Sequence, residues 1–170
     1  MIFQSLKHLS FLLLSICLVW TTSSSANTAA SDEVVVEVSG NITPPNGSDV
    51  LYITREVIES LPQATITTSN HITSVPVKYR GPLFTDLLTS VSAKGDTVIV
   101  TAWDDYLAEI PIVDLKTYGV ILATHEDGEQ LSIENRGPLF VVFPFDHFPD
   151  IRNDLYYNKS VWQIKSIEVE

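Results

Sequence analysis

The chain has 170 residues, 45% of them apolar, and 21 acidic residues against 10 basic ones, for a formal net charge of −11 at neutral pH. A surface this acidic repels phosphate backbones and anionic headgroups, which excludes nucleic-acid binding and direct adhesion to an anionic membrane. The one cysteine, Cys17, lies in the first apolar stretch, so everything after it lacks the means for a disulfide, a thiolate metal site or a cysteine nucleophile.

Residues 1–26 read as a secretory signal peptide: Lys7 near the start, an apolar run over 9–20, then small residues up to Ala26. The run is shorter than the roughly 20 residues a spanning helix needs, and Ser24 and Ala26 are side chains a signal peptidase accepts. Ile16 is too bulky for a lipoprotein site at Cys17, and Leu18, Val19 and Trp20 continue the apolar run beyond it. Cleavage near Ala26 therefore removes Cys17 and Lys7 and leaves a domain-sized remainder with a formal charge of −12. Export without disulfides suits a bacterial periplasm.

Residues 27–33 form a short polar lead-in, and the domain runs over 34–170. Residues 34–38 are β-branched and run into Gly40 and the Pro44-Pro45-Asn46-Gly47 cluster, a strand leaving into a loop. A second strand is predicted over 51–53, and Thr54 can cap a helix reaching Ser60. Residues 64–68 read as a strand, 69–74 as a polar loop, and 75–79 as a lead into Arg80-Gly81-Pro82. From Pro82 the spacing of Leu83, Phe84, Leu87, Leu88 and Val91 predicts a helix with one apolar face.

Gly95-Asp96 turns into a strand over 97–102, Trp103-Asp104-Asp105 forms a loop, and 106–110 alternates as a short strand. A short helix is predicted over 111–118, a buried strand over 120–123, a hairpin-like turn over 126–129, and further strands over 139–143 and 161–169. Strands and short helices mixed in this way predict an α+β or mixed α/β fold in a single domain. The pentapeptide Arg-Gly-Pro-Leu-Phe occurs at 80–84 and 136–140, but the flanks do not match, and the two are read as independent turns.

Catalytic signatures are missing: no GxSxG, P-loop, GxGxxG or HExxH is present. After residue 26 the histidines are His71, His125 and His147, too far apart in sequence for a local ligand pair, and no metal site is expected. Trp103-Asp104-Asp105-Tyr106 is different, because it places two carboxylates between two large aromatic rings at the end of a buried strand, where loops commonly carry binding groups. A pterin needs an aromatic face to stack on and a carboxylate to accept the paired N–H donors of its amino-pyrimidinone edge. Trp103 with Asp104 or Asp105 can supply both; on the residues alone, Trp103 in the core with the acids in solvent is the alternative.

The stretches YRGPLFTDLL (79–88), AWDDYLAEIPIVDL (102–115) and LATHEDGEQLSIENRGPLFVVFP (122–144), with the ending over 159–169, resemble the oxidoreductase molybdopterin-binding domain of the sulfite oxidase superfamily in composition and order. The resemblance spans residue 34 to the end and implies that fold. In those enzymes a cysteine about a dozen residues before the Gly-Pro-Leu turn coordinates molybdenum. Here that count reaches Thr68, Ser69 and Asn70, and a serine hydroxyl is a poor substitute for a soft thiolate.

A small, exported, cysteine-free member of this kind resembles the bacterial pterin-binding regulators of the PruR type. The resemblance implies a reduced, metal-free pterin bound in the periplasm and control of a membrane protein that makes or degrades cyclic di-GMP. It further implies a non-catalytic pocket between Ser69-Asn70-His71 and Trp103-Asp104-Asp105-Tyr106, with Arg136 closing it. A molybdopterin-dependent oxidoreductase or its accessory subunit, and a ligand-free adaptor keeping the fold, are the alternatives.

Overall fold

The structure, a computed structural model, describes residues 33–43 and 47–170. The expected signal peptide, Cys17, the lead-in up to residue 32 and the Pro44-Pro45-Asn46 part of the first turn lie outside the described residues.

The order of elements is β1 (Val34–Gly40), β2 (Val50–Thr54), α1 (Arg55–Ser60), β3 (Gln63–Thr68), β4 (Val77–Pro82), α2 (Phe84–Ser90), β5 (Thr97–Ala102), β6 (Leu107–Pro111), α3 (Ile112–Tyr118), β7 (Ile121–Ala123), β8 (His125–Glu126), β9 (Glu129–Gln130), β10 (Phe140–Val142), α4 (Asp154–Tyr157) and β11 (Ile164–Val169). Short 3-10 turns at Ile133–Asn135 and Pro149–Ile151 complete it. Helices and sheets are thus mixed in one α+β domain.

The largest sheet has five strands in the order β2-β1-β11-β5-β6, with β1 and β11 parallel and the other pairs antiparallel. Period-two alternation decides its faces. Val36, Val38, Val98, Val100, Ile110, Ile164 and Ile167 point to one side and are buried with Phe84, Leu87, Leu88 and Leu115 of α2 and α3. A second sheet, β3-β4-β8-β9, packs on a smaller cluster of Tyr79, Ile121, Ala123, Leu131, Phe140 and Val142.

The β7-β10 ladder divides the two clusters. Leu122 and Val141 face the larger one, while Ile121, Ala123, Phe140 and Val142 face the smaller. Strands buried on both faces read as unbroken apolar runs, as ILA and FVV do.

Thr54 caps α1 as its sequence suggests, its hydroxyl accepting from the Val57 amide at 3.4 Å. Many element ends shift by a residue or two from expectation, and two of the shifts have a clear cause. Pro82 does not open a helix; it is the last residue of β4, opposite Gln63, and α2 begins at Phe84 after Leu83 has bridged to Ile121. The β3-β4 pairing holds the chain extended past the proline, at a strand end where a missing N–H costs little. The final strand starts at Ile164 rather than Val161, because Val161 instead accepts from the Val141 amide and Gln163 turns with φ 53°. The two Arg-Gly-Pro-Leu-Phe copies also differ: Arg80 is in a strand, whereas Arg136 ends a 3-10 turn with φ 77°.

Candidate functional site

Where β5 ends, the chain reverses through a tight hairpin turn: the Asp105 amide donates to the Ala102 carbonyl at 3.1 Å, Asp105 takes a left-handed φ of 65°, and the turn directs neighbouring side chains to different sides. Ala102, Asp104 and Tyr106 point into a pocket of about 200 Å³, whose other walls are His71 and the segment of Tyr157, Asn158, Ser160, Val161 and Trp162. Trp103 and Asp105 go the other way. Trp103 lies in a separate groove, with Lys165 Nζ 5.7 Å from its ring centroid, and the exposed Asp105 carboxylate is 3.9 Å from the same ammonium.

The pocket is aromatic on one side. The His71 and Trp162 rings lie 6.0 Å apart and within 24° of parallel, and His71 is tilted against Tyr157 at 5.3 Å. Trp162 is anchored from behind by an edge-on contact with Phe140, and Tyr157 by Phe145. Tyr106 ties the two walls together, its phenol donating to the Asn158 carbonyl at 2.8 Å.

Asp104 is the one carboxylate among the lining residues, and none of them is Lys or Arg. Its Oδ1 accepts from the Tyr106 amide at 3.1 Å, which orients the group and leaves Oδ2 without a partner among the described residues. Such a site offers planar apolar faces and a directed acceptor, and it suits a small flat ring bearing N–H donors rather than an anion.

Asn70 shapes the loop that carries His71. Its Oδ1 accepts from the amides of Ile72 and Thr73, both at 2.8 Å, and its Nδ2 donates to the Tyr79 phenol at 3.2 Å. Burial, then the nearby Glu126 carboxylate, raises the Tyr79 phenol above its ordinary pKa, so it stays protonated.

Ser69 is buried and engaged elsewhere. Its hydroxyl donates to Asp146 Oδ1 at 2.6 Å, its amide to Asp146 Oδ2 at 2.7 Å, and Arg152 reaches its Oγ at 3.2 Å. Burial pushes the Asp146 carboxyl upward, but the two Ser69 hydrogen bonds and Arg152 outweigh it and hold the group below the usual carboxylate range. Arg136 is not among the lining residues; it forms an ion pair with Glu126, its Nε 3.1 Å from Oε2. Of the residues expected from sequence, the structure therefore brings His71, Asp104 and Tyr106 together. Ser69, Asn70 and Arg136 have other partners, and Trp103 and Asp105 lie on the far side of the loop.

Sequence reading missed the segment of Tyr157, Asn158, Ser160, Val161 and Trp162, which forms more than half of the pocket's lining. The available signal was two adjacent tyrosines and a tryptophan within seven residues of polar, turn-rich sequence, too much aromatic surface for a connection without a task.

No family model and no curated protein matches the chain. Among solved structures, the sulfane dehydrogenase SoxCD from Paracoccus pantotrophus superposes with a TM-score of 0.59 at 15% identity, over 81% of this chain. This chain spans 38% of the length of that one. At this identity the likeness is one of fold, and it agrees with the sulfite-oxidase-type molybdopterin-binding fold that the sequence motifs imply.

Proposed function

We propose that the chain is an exported, non-catalytic sensor that binds a reduced, metal-free pterin and so modulates a membrane-bound cyclic di-GMP cyclase or phosphodiesterase. The observation carrying the reading is the convergence of His71, Tyr157 and Trp162 with the Asp104 carboxylate around one small pocket. A pocket of about 200 Å³ is below the ~300–1,000 Å³ usual for drug-sized ligands and suits a single bicyclic ring. Asp104 Oδ2 would accept from the amino-pyrimidinone edge while Trp162 and Tyr157 cover its faces.

The stretch where the superfamily's metal-binding cysteine is expected, Thr68 to Asn70, supports a metal-free ligand, since none of the three carries a thiol. The Ser69 hydroxyl is committed to Asp146, and a hydroxyl is in any case a hard donor where a soft thiolate is wanted. The export and cyclic di-GMP parts rest on the signal-like sequence and the resemblance to PruR-type regulators.

The test is to purify the protein from the exported fraction, denature it, and measure pterin fluorescence and molybdenum in what is released. Pterin without molybdenum is expected, together with saturable binding of added tetrahydropterin by calorimetry. Finding neither released nor added pterin would overturn the ligand, and near-stoichiometric molybdenum would overturn the non-catalytic reading. Unchanged cellular cyclic di-GMP on deleting the gene would overturn the partner.

A further inference from the structure

Among the described residues, the five-stranded sheet is covered on only one face. On the other, the strand registers align two rows: Tyr52, Glu37, Ser166, Thr101 and Leu107, then Val50, Ser39, Glu168, Ile99 and Glu109. None of the ten is buried, and Tyr52 and Leu107 are more than half exposed. These rows carry three carboxylates and no basic side chain. Glu168 and Glu109 are separated by one strand, about 10 Å at the usual strand spacing.

At Tyr52 and Glu37 the face runs into the groove that also holds Trp103, with Val34, Ile133 and Pro138 as its apolar lining and a volume of about 880 Å³. Val34, Tyr52, Trp103, Ile133 and Leu107, five of the 11 large apolar side chains that are exposed among the described residues, therefore lie in or beside this one region. The cations at the groove are already engaged: Arg55 Nε is 2.9 Å from Glu33, and Lys165 sits between Asp105 and Trp103. A contiguous apolar groove beside unneutralised carboxylates is the complement of a surface that is apolar at one end and basic at the other.

We propose that this open face docks a basic, partly apolar segment of another protein. The partner's apolar side chains fill the groove between Tyr52, Trp103 and Ile133, and its Lys or Arg side chains lie over Glu37, Glu109 and Glu168. A second copy of this chain is a poor occupant, because two-fold pairing of the face with itself would set carboxylates against carboxylates between strongly acidic molecules. The pocket at Trp162 takes no part, so the inference stands whatever that pocket binds.

The test is nuclear magnetic resonance titration of the isotope-labelled chain with a short peptide of alternating lysine and leucine, at low salt, against a glutamate–leucine peptide. Shifts should concentrate on the two rows and the Trp103 indole, with the acidic peptide inert. Replacing Glu37, Glu109 and Glu168 together by Gln should weaken binding by about tenfold, the sum of three modest charge contacts. Replacing Glu56, Glu59 and Asp150 by their amides, an equal change of charge elsewhere, should cost under about twofold. Tyr52→Ala should weaken binding without any change of charge. Shifts scattered over the molecule, equal losses in the two triple variants, or no loss in Tyr52→Ala would overturn the proposal. So would a concentration-dependent dimer in sedimentation that Tyr52→Asp dissociates.

Discussion

The Ser69 hydroxyl donates to Asp146 Oδ1 at 2.6 Å although the two residues are 77 positions apart, and the Ser69 amide binds the other oxygen at 2.7 Å. The Asp146 amide in turn donates to Thr68 Oγ1 at 3.1 Å, so the end of β3 is latched to the segment after β10. Asp146→Asn should lower unfolding stability by about 1–3 kcal/mol, the range for hydrogen bonds to a charged acceptor whose partners are left buried. Denaturant unfolding measures it; a change within a few tenths of a kcal/mol would show the latch to be ornamental.

The same contact has a pH signature. The folded Asp146 pKa is depressed, so its stabilisation is present above the ordinary carboxylate value and is lost as pH falls through the lower, folded value. The stability difference between the wild type and Asp146→Asn should therefore be full at neutral pH and shrink in acid. His125 adds a loss at milder pH. Burial, then the Arg80 guanidinium, lowers its pKa, so the folded state resists protonation and stability falls as pH drops below the imidazole's unfolded value. Replacing His125 by Gln should flatten that part of the profile in thermal melts.

A Cβ on Gly81 would stand 1.9 Å from the Leu122 carbonyl oxygen, because β4 lies directly against β7. Gly81→Ala should cost about 3 kcal/mol or more, since backbone and not a flexible side chain must move. Gly119, the left-handed end of α3 at φ 62°, has nothing within 4 Å of such a Cβ. Gly119→Ala should cost only about 1–2 kcal/mol, the left-handed penalty. Equal losses would contradict the close approach at Gly81.

Opposite placement of neighbouring residues makes a sharp prediction for ligand binding. Trp162→Ala should weaken binding of a tetrahydropterin by about 1 kcal/mol or more, and Trp103→Ala by much less, although Trp103 is the more exposed ring. Asp104→Asn should cost more than Asp105→Asn, whose carboxylate points at Lys165. Calorimetric titration of the four variants gives the order. Trp103 and Asp105 proving the sensitive pair would move the ligand to the other side of the loop.

Most of the secondary structure was legible because its causes are local. Phe84, Leu87, Leu88 and Val91 show a helix face by spacing alone, Thr54 announces a cap, and residues 97–102 read as a strand by β-branching. At Pro82 and at Val161 the boundary moved because a distant partner sets the end of the element: Gln63 opposite the first and Val141 bonded to the second.

The candidate site divides in the same way. Sequence alone determined that 69–74 and 103–105 are polar or aromatic loops at strand ends, that a thiolate is missing near the first, and that the chain carries a large excess of negative charge. Only the tertiary structure decided that Ser69 is committed to Asp146, that Asp104 and Tyr106 turn one way while Trp103 and Asp105 turn the other, and that Tyr157 and Trp162 supply the pocket's rings. The reason is physical: residue type and spacing encode what a side chain can do and the local period of its backbone. Which surface it meets depends on packing between segments scores of residues apart, and that is settled only when the sheet closes around its core.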